Sequence, residues 1–532
     1  METDKITSAY RKNIGETQVV VDVALQKSDA PISKVLVANA VPTIEQMEML
    51  NGEATYSGTV EFNLVYADAE GQVFCVKENE LLHGKFENVV LNPLMKPIYN
   101  VEVVEVKVED MDDMAKIFAT IAIKLDVINI DEVLEVKPTN QNIELKSETD
   151  KHLIVVSSGT KTITLNEQFE CKTQVQNVLM TLAEPNLKSS IAGTGYFAVD
   201  GEVFVNSLLK VQDENNDVLK NFMETLSFKE EFEDDNIQKD DVLYAFSYVR
   251  PQDVKVEVLT RTESAEEEEK PDTLSVSVVV SVKYLVLREV ETEVYTDAFS
   301  MTNKTNLVLD TLTTSKKLGT EHFKTTIEGQ TVQEEPRIAK VCAITNERIL
   351  VANAKFENDA LFVEGVANAT VLYLTDDDVP VLSSVELEVP FSNKFETSND
   401  FTGELFATAH ITDIEAKVRK GKEITVLFDV CFDVDVYDTQ NCVIVKDIEL
   451  TEEISPSDYS LEIYIAPKGS TLWDISKHLL VTEDVLLKQN PNLVFPLESS
   501  QSIVHFVQKW DKWFKKHRFS SNFYVFFMQI CQ

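Results

Sequence analysis

The 532 residues hold ninety aspartates and glutamates, seven histidines and six cysteines, enough side chains for acid–base, metal or nucleophilic chemistry. What matters is whether any are spaced to act together. His83, His152, His322, His410, His478, His505 and His517 show neither H-E-x-x-H nor H-x-x-x-H spacing, so each reads as a surface or strand residue rather than a ligand. Cys75, Cys171, Cys342, Cys431, Cys442 and Cys531 are scattered singly, without C-x-x-C pairs, and read as reduced thiols with no zinc and no disulfide. No carboxylate pair stands beside a histidine or an ordered nucleophile. Gly193-Thr-Gly195 lacks the lysine and helix that a phosphate site needs, and no G-x-S-x-G or P-loop is present. The expectation is therefore no enzyme, no catalytic residues, no metal and no cofactor.

One stretch has the chemistry of recognition instead. Tyr464–Lys477 runs from a β-branched and aromatic segment through Pro467-Lys-Gly469 to apolar positions Leu472, Ile475 and Leu479 at helical spacing. Ser470 is read as the helix N-cap, Gly469 as a turn residue with φ > 0 and Trp473 as part of the local core. A second short helix starts at Thr482 and stops at Asn490-Pro491, and Ser502–Phe506 alternates as a closing strand. The order is β-α-α-β. This segment resembles the LysM module, with its tyrosine strand, P-G-D-T-L-W turn and N-P-x-L loop. In that family the groove between turn and loop receives N-acetylglucosamine polymers or, less often, a protein. The resemblance implies a binding groove at Gly469, Ser470, Thr471, Leu472, Pro491, Asn492 and Leu493. Ser470 replaces the usual turn aspartate, and Ser499-Ser500 stands where a glycine usually precedes the last strand.

A single shallow groove with a few hydrogen bonds at about 1 kcal/mol each reaches about 4 to 7 kcal/mol, or very roughly millimolar to 10 micromolar affinity. Glycan binders commonly gain avidity from tandem copies. One copy on a large chain favours a protein partner.

The remainder decides the architecture. A net charge of −41 argues against nucleic acid and against an anionic membrane surface as partners of the body. With 44% hydrophobic residues the chain can bury substantial cores. The first residues show no basic and apolar leader, and a cytoplasmic location is expected.

Internal similarity supplies the organisation. Lys34-Val-Leu-Val, Asn177-Val-Leu-Met and Lys340-Val-Cys-Ala each begin a unit of matching layout. Gly58, Gly201 and Gly365 are each read as opening an alternating strand, with inward faces Val60/Phe62/Leu64/Tyr66, Val203/Val205/Ser207/Leu209 and Ala367/Ala369/Val371/Tyr373. Polar turns follow at Asp68–Gly71, Asp213–Asn216 and Asp376–Asp378, then Lys85-Phe-Glu87, Glu231-Phe-Glu233 and Lys394-Phe-Glu396, preceded by Leu82, Phe228 and Phe391. Pairs of long strands close each unit, with charged and apolar residues alternating so that one face is wet and the other buried. The fold class is mainly β: three antiparallel β-sandwich-like repeat domains (1–139, 140–300 and 301–452) followed by a small βααβ LysM domain (460–506).

Three such units followed by one LysM resemble the SPOCS-domain plus LysM spore coat morphogenesis proteins of endospore-forming clostridia. That resemblance implies a non-enzymatic scaffold in spore coat assembly. In it, the LysM end ties the coat basement-layer ATPase, stage IV sporulation protein A, and other coat proteins to the forespore surface from the mother-cell cytoplasm. The alternative it leaves open is a peptidoglycan-binding protein anchored to the spore cortex. The tail, 507–532, departs from the acidic body. With Val507, Trp510, Trp513 and Phe514 on one helical side and Lys509, Lys512, Lys515 and Lys516 largely elsewhere, it reads either as an interfacial membrane segment or as an aberrant extension, the latter preferred.

Overall fold

The computed structural model describes residues 3–26, 31–110, 114–137, 142–171, 173–213, 216–259, 272–357, 360–377, 380–397, 403–455 and 461–506. The tail therefore lies outside the described residues, as does the acidic run 263–271. No helix among the described residues is long and apolar enough to cross a membrane.

Alternating sequence becomes antiparallel sheet almost throughout. The first six strands are β1 (Thr3–Gln26), β2 (Lys34–Leu50), β3 (Glu53–Ala67), β4 (Val73–Glu87), β5 (Lys96–Asp110) and β6 (Met114–Val136). Strands β2-β3-β4 form a meander, and β1-β6-β5 form the facing sheet. The same pairing recurs in β7 (Ile143–Cys171), β8 (Gln174–Gly193), β9 (Tyr196–Asp213), β10 (Asn216–Glu233), β11 (Val242–Leu259) and β12 (Asp272–Ser300), as β8-β9-β10 facing β7-β12-β11, and the pairing of Ala9 with Leu153 joins β7-β12-β11 to β1-β6-β5 as one six-stranded sheet. It recurs again in β13 (Asn303–Val332), β14 (Ile338–Glu357), β15 (Ala360–Thr375), β16 (Leu382–Glu396), β17 (Glu404–Arg419) and β18 (Glu423–Glu453), as β14-β15-β16 facing β13-β18-β17.

Each pair of sheets closes over its own core. In the third, Val363, Ala367, Val371 and Tyr373 of β15 meet Ile424, Val426, Phe428 and Phe432 of β18. Burying a side chain the size of Phe432 contributes about 1.5–3 kcal/mol. The recurring Phe86, Phe232 and Phe395 sit near the ends of β4, β10 and β16. They meet Tyr56, Phe197 and Phe323, with ring centroids 6.0, 5.1 and 4.7 Å apart.

Gly58, Gly201 and Gly365 do not open their strands, as the sequence suggested; β3, β9 and β15 start five residues earlier, so each glycine lies inside its strand. The cause is a close backbone approach at a bulge. The register of the neighbouring strand slips at Ile44/Gln46, Leu187/Ser189 and Val351/Asn353, opposite these glycines. A Cβ there would stand 1.9, 2.5 and 2.0 Å from the carbonyl oxygens of Thr43, Asn186 and Leu350. On the other side the cross-strand partners are Leu82, Phe228 and Phe391. The Phe228 and Phe391 rings therefore cover the space that Gly201 and Gly365 leave empty.

The middle strands of the three meanders are buried on the outward face as well as the inward one toward their ends. Phe62–Ala67, Val205–Leu209 and Ala369–Tyr373 are buried at every position. The reason is that the outer faces of the three meanders pack on one another: Leu36, Val37 and Val65 meet Leu179, Met180 and Leu208, with Ala343 and Leu372. A second seam gathers Ile6, Val133, Val294, Leu312 and Ile444 from the long strands.

Candidate functional site

The C-terminal elements are β19 (Leu461–Ala466), α1 (Leu472–Leu479), α2 (Glu483–Gln489) and β20 (Gln501–Phe506), with β19 and β20 antiparallel. Ala466, Ile475, Leu479, Leu486, Leu497 and Ile503 form their core. Two short helices of this length are marginal alone and depend on that packing and on their caps.

The turn before α1 is fixed by backbone geometry. Gly469 adopts φ +88, which only glycine takes without strain. Its N–H donates to Leu497 O at 2.8 Å, and Leu497 N–H donates back to Ser470 O at 3.0 Å. These bonds tie the turn to the segment that follows the Asn-Pro loop. The cap is Thr471, not Ser470: the Thr471 hydroxyl accepts from Asp474 N–H, and Asp474 accepts from Thr471 N–H at 3.0 Å and from its hydroxyl at 2.7 Å. A capping box needs the acid three residues after the cap, and Asp474 fits Thr471. These bonds hold the Asp474 carboxyl below the usual aspartate range. Thr482 caps α2, accepting from Val485 N–H.

The loop side is held by Asn490. Its amide donates to Leu486 O at 3.0 Å and Val504 O at 2.8 Å and accepts from Val504 N–H at 2.9 Å, joining the end of α2 to β20. Of the groove residues, Gly469, Thr471, Pro491 and Asn492 are exposed, while Ser470, Leu472 and Leu493 are half-buried. Leu472 and Leu493 pack against the same core. All seven groove residues are uncharged, and what they offer a ligand is shape, apolar contact and a few neutral hydrogen bonds.

Trp473 faces away from that core, against expectation. It is buried against the second six-strand unit, its ring centroid 5.2 Å from that of Phe299 and its Nε1–H donating to Asp297 Oδ2 at 2.8 Å. Lys477, one helical turn on, donates to both oxygens of Asp297 at 2.6 and 2.7 Å. Burial pushes the Asp297 carboxyl up, but the bonds from Lys477, Trp473 and Ala298 N–H outweigh it and leave the pKa below the ordinary value. Trp473 and Lys477 lie four residues apart and so share one helix face. Their partner Asp297, 176 and 180 residues away in sequence, carries no local signal.

Among the described residues one group of metal-ligand side chains converges, His410, Cys431 and Asp433, far from the groove in sequence.

Residues 337–419 match the family model described as SipL, SPOCS domain. The match spans β14 to β17, the third meander and the strand after it. Searches of the curated proteins and of the solved structures find no match.

Proposed function

We propose that the chain is a non-enzymatic scaffold of spore coat assembly. In this reading three SPOCS-like β units form the body, and the C-terminal LysM-like module docks on the coat's basement-layer ATPase at the forespore surface. The observation that carries the sporulation role is the match of residues 337–419 to the SipL SPOCS domain. The six-strand pairing to which that segment belongs recurs in the two earlier units, which supports extending the SPOCS reading to them.

The geometry of the C-terminal end supports protein docking over sugar capture. The Thr471 hydroxyl is engaged with Asp474, which leaves Ser470 and Asn492 as the main polar side chains of an otherwise apolar rim. A hexose polymer is held by dense hydrogen bonding, whereas Leu472, Pro491 and Leu493 suit an apolar protein surface. Anchorage through Trp473 and Lys477 would present this groove from a fixed body and reduce the ordering cost of a protein contact.

The test is capture of the basement-layer ATPase by the full chain carrying Leu472→Ala and Asn492→Ala. Loss of capture is expected, and undiminished capture removes the docking role. Titration with chitooligosaccharide addresses the cortex-peptidoglycan alternative: saturation tighter than millimolar would favour that alternative over docking.

A further inference from the structure

Four side chains spread over 111 residues of sequence meet on one face of the sheet β13-β18-β17. Cys431 and Asp433 alternate on β18, on the face opposite to the core residues Val430 and Phe432. Register sets His410 of β17 opposite Cys431 and His322 of β13 opposite Asp433. The ligand atoms of His410, Cys431 and Asp433 all lie within 4.8 Å of one another.

The distances are those of groups around a common centre. His410 Nδ1 is 3.7 Å from Asp433 Oδ2, beyond hydrogen-bonding reach, and Cys431 Sγ is 3.9 Å from Asp433 Oδ1, at the outer limit for a thiol. Ligands of a tetrahedral zinc ion, with bonds of about 2.0–2.3 Å, stand about 3.3–3.5 Å apart, so the two distances to Asp433 need to shorten by only a few tenths of an ångström, and His410 and Cys431 stand within 4.8 Å of each other. His322 Nδ1 meets the Asp433 Oδ1 atom at 2.5 Å, the arrangement by which an outer histidine orients a ligating carboxylate.

We propose that His410, Cys431 and Asp433 bind one zinc-class divalent ion, with His322 as the positioning residue for Asp433. An imidazole, a thiolate and a carboxylate are the donor set that zinc accepts, and three protein ligands leave a fourth position for water or a partner's side chain. Asp433 and Glu202 of β9 are the negative groups acting on His410, and Lys324, register partner of Cys431, and His322 act against them. The place gives the ion a structural consequence. His410 and Thr412 form one side of a cleft whose other side is Glu184, Glu202, Phe204 and Thr225, so the ion would pin β17 to β18 at the seam between the second and third units. Sequence spacing hides the site because strand ligands come from different strands, leaving only C-x-D as a local trace.

The test uses the full chain, stripped with EDTA and titrated with Co²⁺ and then Zn²⁺. Saturation at one Co²⁺ per chain with a thiolate-to-cobalt charge-transfer band, displaced by Zn²⁺, is expected. Cys431→Ser should remove the band, His410→Ala should weaken Zn²⁺ binding at least as much as the roughly tenfold loss expected for His322→Ala, and Cys342→Ser should change neither. Circular dichroism shows whether each variant folds, and the wild-type titration stands without them. Absence of the thiolate band, or its survival in folded Cys431→Ser, overturns the assignment. Cobalt bound without that band marks only the acidic surface and overturns it equally.

Discussion

The Trp473 indole donates to the Asp297 carboxylate at 2.8 Å, fastening α1 to the last residues of β12. With Lys477 on the same carboxylate and Phe299 against the ring, one aspartate organises the attachment of the module to the body. Asp297→Asn keeps the size and loses the charge, and is expected to cost about 1–3 kcal/mol of attachment. Trp510 and Trp513 are the only other tryptophans, so in a W510F/W513F background Trp473 reports alone. Its emission should shift to the red in Asp297→Asn; an unchanged spectrum would refute the attachment.

The same contact should depend on acid in a defined direction. Asp297 has a pKa below its ordinary value when docked. A depressed carboxylate contributes stability that is complete above the undocked value, about 3.9, and is lost as pH falls through the docked one. The Trp473 emission should therefore stay constant from neutral pH down to about 4 and shift to the red below it. In Asp297→Asn the shift should be present at all pH values.

The glycines at the bulges give a stability prediction. Gly365→Ala places a Cβ 2.0 Å from the Leu350 carbonyl oxygen and near the Phe391 ring. Neither backbone can yield without breaking the bulge, so a cost of about 3 kcal/mol or more is expected. That corresponds to a fall of roughly 6–12 °C in the melting of the third unit. Phe391→Ala in the Gly365→Ala chain should recover only the ring clash, because the carbonyl contact remains. A melting curve indistinguishable from wild type would show that the bulge is not held this tightly.

Much of the fold was legible because alternation is a local signal. Phe62, Val205 and Val371 were placed inward from period alone and are fully buried. The interior position of Gly58 was not legible, since what constrains it is the Thr43 carbonyl of another strand. Burial of Val65, Leu208 and Leu372 on the outward face was hidden for the same reason: it comes from three meanders packing together. In the groove, Gly469 declared itself by turn chemistry, whereas the choice between Ser470 and Thr471 as cap depended on which hydroxyl lies in register with Asp474.

A pH effect of opposite sign should come from the seam between the second and third units. Burial, and then the neighbouring Glu347, push the Glu184 carboxyl up to about 8. Burial also raises Glu347, although Asn206 donates to it at 2.8 Å. A carboxyl raised in the fold binds more protons folded than unfolded, so stability falls as pH rises from about 4.3, the unfolded value, and levels off above the folded one. Glu184→Gln removes this term. It should raise the melting temperature at pH 8 more than at pH 5, and an equal change at both would show that Glu184 is not the group responsible.

The groove makes its own prediction through what it lacks. Gly469, Ser470, Thr471, Leu472, Pro491, Asn492 and Leu493 carry no charge, so partner capture through them should be insensitive to salt, whereas contacts of exposed charges weaken within a Debye length of about 10 Å at 0.1 M. Asn492 is exposed and Leu472 is packed partly against the module core. Asn492→Ala should therefore leave thermal stability within about 0.5 kcal/mol of wild type, while Leu472→Ala should lose about 1–2 kcal/mol from the module. If both variants weaken capture by about tenfold or more, as truncation at an interface centre does, the common cause is the groove surface. If only Leu472→Ala does so, the effect follows module stability, and the partner binds a face of the module other than the one that carries Asn492.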